Sequence, residues 1–166
     1  MITSAPWVLC PEVIEKTSEE WSFREPKASD GNDIYRLISE CPPLDTNSSY
    51  CNFLQSTHFS KTCILVENKG ELAGFISSYQ KPSEPNVLFI WQVAVDADFR
   101  GNDLARRLIM DIIQRKELNV NYLHTTVSPS NNSSIRVFEK VAAHYETQMN
   151  SMEFFEASDF TNQHEE

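Results

Sequence analysis

Positive charge is scarce in this 166-residue sequence: 14 Lys and Arg stand against 24 Asp and Glu, for a formal charge of −10. Nucleic-acid binding needs clustered cations that displace counterions from phosphates, and this balance argues against it. A negative surface suits a cationic small substrate, and it also serves plain solubility. Glycine is scarce as well, with four in all, and only one falls in the most informative segment, residues 87–108. A dinucleotide fold needs three spaced glycines near the chain start, and a P-loop needs Lys-Ser/Thr after its second glycine; the segment has neither pattern. No apolar run approaches the roughly 20 residues needed to span a membrane as a helix. Cys10, Cys41, Cys51 and Cys63 form no Cys-x-x-Cys pair, and no histidine lies at zinc spacing from them. No secretory apolar region precedes them, so the expectation is a cytoplasmic protein with reduced thiols and no metal.

What is present reads as one compact domain, residues 21–166, behind an extension over residues 1–20 that shows no clear period. A 40% apolar content is enough for a single sizeable core. Trp21–Pro26 reads as a short strand. Ala28-Ser29-Asp30-Gly31 then precedes Ile34, Leu37 and Ile38 at helical spacing, and Cys41-Pro42-Pro43 ends that helix. Tyr50, Phe53 and Leu54 mark a second helix. Residues 62–67 and 72–79 are apolar runs joined by Asn68-Lys69-Gly70, a hairpin signal. After a turn over residues 81–86 comes VLFIWQVAV, residues 87–95, a strand with one polar interruption and therefore buried on both faces. A helix from Leu104 to Arg115 turns Leu108, Ile109, Ile112 and Ile113 inward. A strand over Tyr122–Val127 and a helix over Asn131–Ala142, with Ile135, Phe138 and Val141 inward, follow. A last extended segment covers Tyr145–Phe155. The order is β-α-α-β-β-β-α-β-α.

Between the central strand and its helix lies Arg100-Gly101-Asn102-Asp103-Leu104-Ala105. A helix start leaves main-chain N–H groups without partners inside the helix, and such an end binds pyrophosphate. The spacing Arg-x-x-Gly/Ala-x-Gly/Ala after a strand ending Val-x-Val resembles the coenzyme A site of the GNAT superfamily of N-acetyltransferases. That resemblance implies an α/β (α+β) fold with a mixed, splayed central sheet flanked by helices. It implies acetyl-CoA as cosubstrate, held by Arg100, Gly101, Asn102, Asp103, Leu104 and Ala105. Main-chain groups of Val93 and Val95 would pair with the pantetheine amides as another strand would. Asp103 departs from the family's usual glycine, and an aspartate beside pyrophosphate is unfavourable unless it turns away or pairs with Arg106 or Arg107. In SPSNNSSIRVFEK, Asn131, Ser134 and Phe138 resemble the family's Asn-x-x-Ala-x-x-Leu-Tyr pattern, in which the asparagine touches the pantetheine arm. Asn131 is equally read as a plain helix cap. Phe138 stands where many members carry a tyrosine that protonates the CoA thiolate, and it has no proton to donate.

The run CPPLDTNSSYCNFLQSTHF, residues 41–59, together with FIWQVAV, resembles the diaminobutyrate acetyltransferases of ectoine biosynthesis. The resemblance implies acetyl transfer to the 4-amino group of L-2,4-diaminobutyrate, in members that are commonly homodimers. It also implies a substrate site at Asp45, Asn47, Ser48, Tyr50 and Trp91. An alkylammonium with a pKa near 10 is neutral about once per thousand molecules at neutral pH, a penalty of about 4 kcal/mol that a base or desolvation must offset. The 2-amine, beside the carboxylate, is the less basic and more often free, so regioselectivity has to come from geometry. Asp45 is the candidate to hold the 2-ammonium charged; Trp91 is the candidate to line the approach of the 4-amine with its ring face. On its own, Asp45 also reads as a turn residue and Trp91 as core. In a regular strand Trp91 and Gln92 point to opposite faces, which leaves Trp91 the one toward the ligand. His58, His124 and His144 are scattered, and no residue is assigned as the base. Two alternatives remain open: a GNAT enzyme for another amine or peptide, and a non-catalytic acyl-CoA-binding module.

Overall fold

The computed structural model describes residues 21–155. Five strands form one sheet in the order β1 (Trp21–Arg24), β2 (Ile64–Asn68), β3 (Glu71–Lys81), β4 (Glu84–Val95) and β5 (Tyr122–Thr125). The first four pair antiparallel, and β5 joins β4 in parallel, so the sheet is mixed. Four helices cover it: α1 (Gly31–Ser39), α2 (Ser49–Gln55), α3 (Leu104–Gln114) and α4 (Asn132–His144). The predicted element order holds through α4.

Each face of the sheet has its own core. On one side Ile34, Leu37, Ile38 and Cys41 at and just beyond α1 close over Cys63, Leu65, Phe75 and Ala94. On the other, Leu104, Leu108, Ile109 and Ile112 of α3 meet Ile64, Val66, Ile76, Leu88 and Ile90, with Phe138 and Val141 of α4 beside them. Full burial of each such side chain is worth about 1.5–3 kcal/mol, so the spacing i, i+4, i+5, i+8 on α3 is what docks it. Of the predicted inward residues Ile113 is half-buried and packs on the core, as Val137 does, while Ile135 is half-buried. The β2–β3 connection is the two-residue Lys69-Gly70 loop, with φ of +50° and +85°, the positive pair that matches strand twist in a hairpin.

Arg24 ties the first strand to the first helix. Its guanidinium reaches Asp30 at 2.7 Å and Glu67 at 2.6 Å. The Arg24 hydrogen bond holds the Asp30 carboxyl below its usual range, helped by the Lys27 N–H.

Two expectations are corrected. Residues 145–155 form no strand: Tyr145 ends α4, and Glu146 takes a positive φ of 51° that turns the chain out of the helix. Nor is β4 regular. Ser77 lies opposite Gln92 and Ser78 opposite Ile90, so Trp91 is an extra residue with no partner on β3. That bulge resets the alternation of side chains. The extension over residues 1–20, Cys10 included, lies outside the described residues, while Cys41, Cys51 and Cys63 are free thiols. Burial pushes the Cys63 thiol up to about 12.

Candidate active site

Two strands that diverge create the site. β4 pairs with β5 only over Val87–Ile90, and past Ile90 the β5-facing edge of β4 has no strand beside it among the described residues. On the other edge the Asp96 N–H donates to Ala73 O at 3.0 Å, which makes Gly74 opposite Val95 a non-hydrogen-bonded pair. In such a pair the main-chain groups point away from the neighbouring strand. By the same alternation those of Val93 and Val95 face the open side. Arg100 Nε donates to Val95 O at 3.3 Å and closes the end of this edge.

The chain then enters α3 through the Arg100–Asp103 turn. Gly101 has φ +85°, and a side chain there would meet nothing within 4 Å, so glycine is needed for conformation and not for space. Asn102 Nδ2 bonds back to Phe99 O at 2.9 Å. The first bond of the helix ladder is Arg107 N–H to Asp103 O, so the N–H groups of Leu104, Ala105 and Arg106 lie outside that ladder. An extended amide edge running into a helix N-terminus suits a ligand with an amide-bearing arm and a phosphate group.

Asp103 itself sits in the left-handed region at φ 58° and makes no side-chain cap. Its carboxylate is taken by Arg106 Nε at 2.6 Å. Arg107 is engaged elsewhere, its guanidinium 4.8 Å from the centre of the Phe23 ring. Arg106 thus offsets the Asp103 charge, and the left-handed backbone is what a glycine would relieve. Asp103→Gly is expected to leave coenzyme A affinity equal or tighter, as titration calorimetry would read. A large loss of affinity would mean that the Asp103–Arg106 pair shapes the turn.

Facing the bulge is the loop between α1 and α2. Gln92, only 6% exposed, donates from Nε2 to Asp45 O at 2.8 Å and accepts at Oε1 from Asn47 Nδ2 at 3.2 Å. Ser48 caps α2, its Oγ accepting from the Cys51 N–H at 3.3 Å. Asp45 and Tyr50 are exposed, and Trp91 is 47% exposed on the bulge. The fold thus assembles the 45–50 loop, the bulge and the open edge of β4 into one region. Asn131 caps α4, its Oδ1 accepting from the Ser134 N–H at 3.1 Å and from Ser133 Oγ at 2.9 Å. Phe138 is 8% exposed and packs among the residues of the α3 face. Gln92 is the residue that the sequence reading set aside. Its signal was there, as the one polar side chain in an apolar strand.

The profile of the acetyltransferase (GNAT) family matches residues 31–143, which makes this fold that of a GNAT acetyltransferase. Relatives narrow this further. The chain is 62% identical over 144 residues to the L-2,4-diaminobutyric acid acetyltransferase of Vibrio parahaemolyticus serotype O3:K6, covering 86% of this chain and 80% of that one. It is 40% identical to the enzyme of the same name from Virgibacillus pantothenticus, over 81% of this chain and 86% of the relative. Among solved structures it is similar to diaminobutyrate acetyltransferase EctA from Paenibacillus lautus, in complex with its substrate L-2,4-diaminobutyric acid and coenzyme A. That likeness has a TM-score of 0.75 and 37% identity, over 77% of this chain and 78% of that one. The chain belongs to the L-2,4-diaminobutyric acid acetyltransferases of the GNAT family.

Proposed function

We propose that this protein transfers the acetyl group of acetyl-CoA to the 4-amino group of L-2,4-diaminobutyrate, the N4-acetyl product being the compound from which ectoine is closed. The observation that carries this reading is the adjacency of two features. One is an unpaired β4 edge leading into a phosphate-suited helix start; the other is an acidic, hydroxyl- and amide-bearing loop tied to that same strand.

The reaction needs the 4-nitrogen to attack the thioester carbonyl carbon, the C–S bond to break, and the nitrogen's proton to leave. In this reading Val93 and Val95 hold the pantetheine arm, and the turn that Arg100 opens cradles the pyrophosphate with the N–H groups of Gly101, Asn102, Asp103, Leu104 and Ala105. Asn131 Nδ2 is left over from capping and suits the arm as well. Asp45 keeps the 2-ammonium charged and unreactive, with Asn47, Ser48 and Tyr50 beside it, and Trp91 lines the approach of the 4-amine. Phe138 is buried and has no proton to give, so the leaving thiolate takes its proton from water or from the amine.

A steady-state assay with acetyl-CoA and diaminobutyrate, ornithine and lysine side by side tests the reading. The highest kcat/KM is expected with diaminobutyrate, with 4-acetylated product by NMR. Turnover with no amine would leave an acyl-CoA-binding module.

The chain is further proposed to work as a homodimer in the cytoplasm. Met149, Met152 and Phe154 are 47%, 81% and 67% exposed, apolar surface that a second copy would cover. Light scattering is expected to give twice the chain mass at micromolar concentration, and a monomer mass would reject the dimer. Free thiols and an acyl-CoA cosubstrate fit the location, which cell fractionation would check.

A further inference from the structure

We infer that Gln92 is the positioning residue for substrate selectivity, acting through Asp45 and Asn47; this rests on the reading that the 45–50 loop grips the diamino acid. A buried primary amide needs partners for both its donor and its acceptor. Gln92 finds both in one loop: Nε2 donates to Asp45 O and Oε1 accepts from Asn47 Nδ2. Neither bond goes to the neighbouring strand, although Ser77 lies directly opposite on β3 and its buried Oγ has no partner among the described residues. The amide is therefore directed at the loop.

Its orientation is determined, because a main-chain carbonyl only accepts and so Nε2 must face Asp45 O. Oε1 then faces Asn47, which must present Nδ2. One consequence reaches the ligand. With one Nδ2 hydrogen committed to Gln92, the Asn47 amide is fixed with Oδ1 turned away from that bond, an acceptor and hence a partner for an ammonium. Gln92 thus sets two things from beneath the loop: where the Asp45 main chain sits, and which end of the Asn47 amide is offered. It also sits immediately after the bulged Trp91, so the same short stretch of β4 places the ring and anchors the loop.

The experiment compares Gln92→Glu, Gln92→Met, Asp45→Asn and the double variant Gln92→Met/Asp45→Asn. Readouts are KM for diaminobutyrate, KM for acetyl-CoA, the ratio of 2- to 4-acetylated product, and melting temperature. Gln92→Glu keeps the shape and the acceptor but places an oxygen against Asp45 O; Gln92→Met removes both bonds at similar volume. Each is expected to raise KM for diaminobutyrate at least tenfold and to release some 2-acetyl product, with KM for acetyl-CoA within twofold of wild type. The double variant is expected to be no more than twofold worse than Asp45→Asn, since both changes disable one clamp. Should Gln92→Met fail to fold, the near-isosteric Gln92→Glu carries the comparison. An equal rise in both KM values, a purely 4-acetylated product from the Gln92 variants, or additive losses in the double variant would overturn the inference. Those results beside an impaired Asp45→Asn sink the Gln92 role alone. A wild-type Asp45→Asn sinks the clamp reading itself and the Gln92 role with it.

Discussion

Asp45→Asn is expected to lower kcat/KM for diaminobutyrate by about 2–4 kcal/mol, the range for breaking a charge-assisted contact once the substrate covers it. That corresponds to roughly 30- to 1,000-fold in rate. The change removes a charge and leaves the Asp45 main chain, and with it the Gln92 bond, in place. Regiochemistry is expected to loosen as well, because the less basic 2-amine is no longer held as its cation and competes for the thioester. Trp91→Ala is expected to slow the reaction without that second product, since it removes a ring face and packing but leaves the charge clamp. NMR of the products separates the two roles. If Asp45→Asn keeps both the wild-type rate and a purely 4-acetylated product, Asp45 is a turn residue.

The second large effect lies in the packing beneath the open edge. A Cβ built on Gly74 of β3 would stand 3.2 Å from Ala94 O and from Val66 Cγ1, and 3.3 Å from Leu108 Cδ1. Gly74→Ala therefore overpacks the α3 face, at an expected cost of about 1–3 kcal/mol. Leu108→Ala at the same point is expected to cost about 2–5 kcal/mol, because Leu108 is fully buried and its loss leaves a cavity. The two errors are opposite in sign of volume and share one contact. The double variant is accordingly expected to lose measurably less than the sum of the single losses in urea unfolding. Strict additivity would show that β4 and Val66, rather than α3, set the limit at Gly74. Because α3 carries the Leu104–Arg106 N–H groups, the singles are also expected to weaken coenzyme A binding.

Much of this protein was legible in its residues because local rules act over short spans. The Ile34, Leu37, Ile38 spacing specifies α1 wherever it docks, and the Leu108, Ile109, Ile112 stripe does the same for α3. Lys69-Gly70 specifies a two-residue hairpin because both positions take positive φ. The Arg100–Ala105 turn was readable for the same reason, as was the choice open to Asp103. Which arginine takes its carboxylate was a matter of what else lay nearby: the Phe23 ring, on a strand distant in sequence, engages Arg107 and leaves Arg106 for Asp103.

The bulge belongs to the other class. Strand periodicity assumes that every residue has a neighbour across the ladder, and on that assumption Trp91 and Gln92 point to opposite faces and only one of them can serve the site. Pairing with β3 skips Trp91 and lets the ring stay exposed while Gln92 turns inward. Nothing within residues 87–95 encodes that skip. It depends on where β3 and the 45–47 loop, some 47 positions away along the chain, come to lie. The sequence alone therefore determined the elements, the Arg100–Ala105 turn and the family, since each rests on contiguous residues. Only the tertiary structure decided the bulge at Trp91 and the partner of Asp103. It likewise decided the hold of Gln92 on the 45–47 loop, because each of these is a contact between segments whose distance in sequence says nothing of their distance in space.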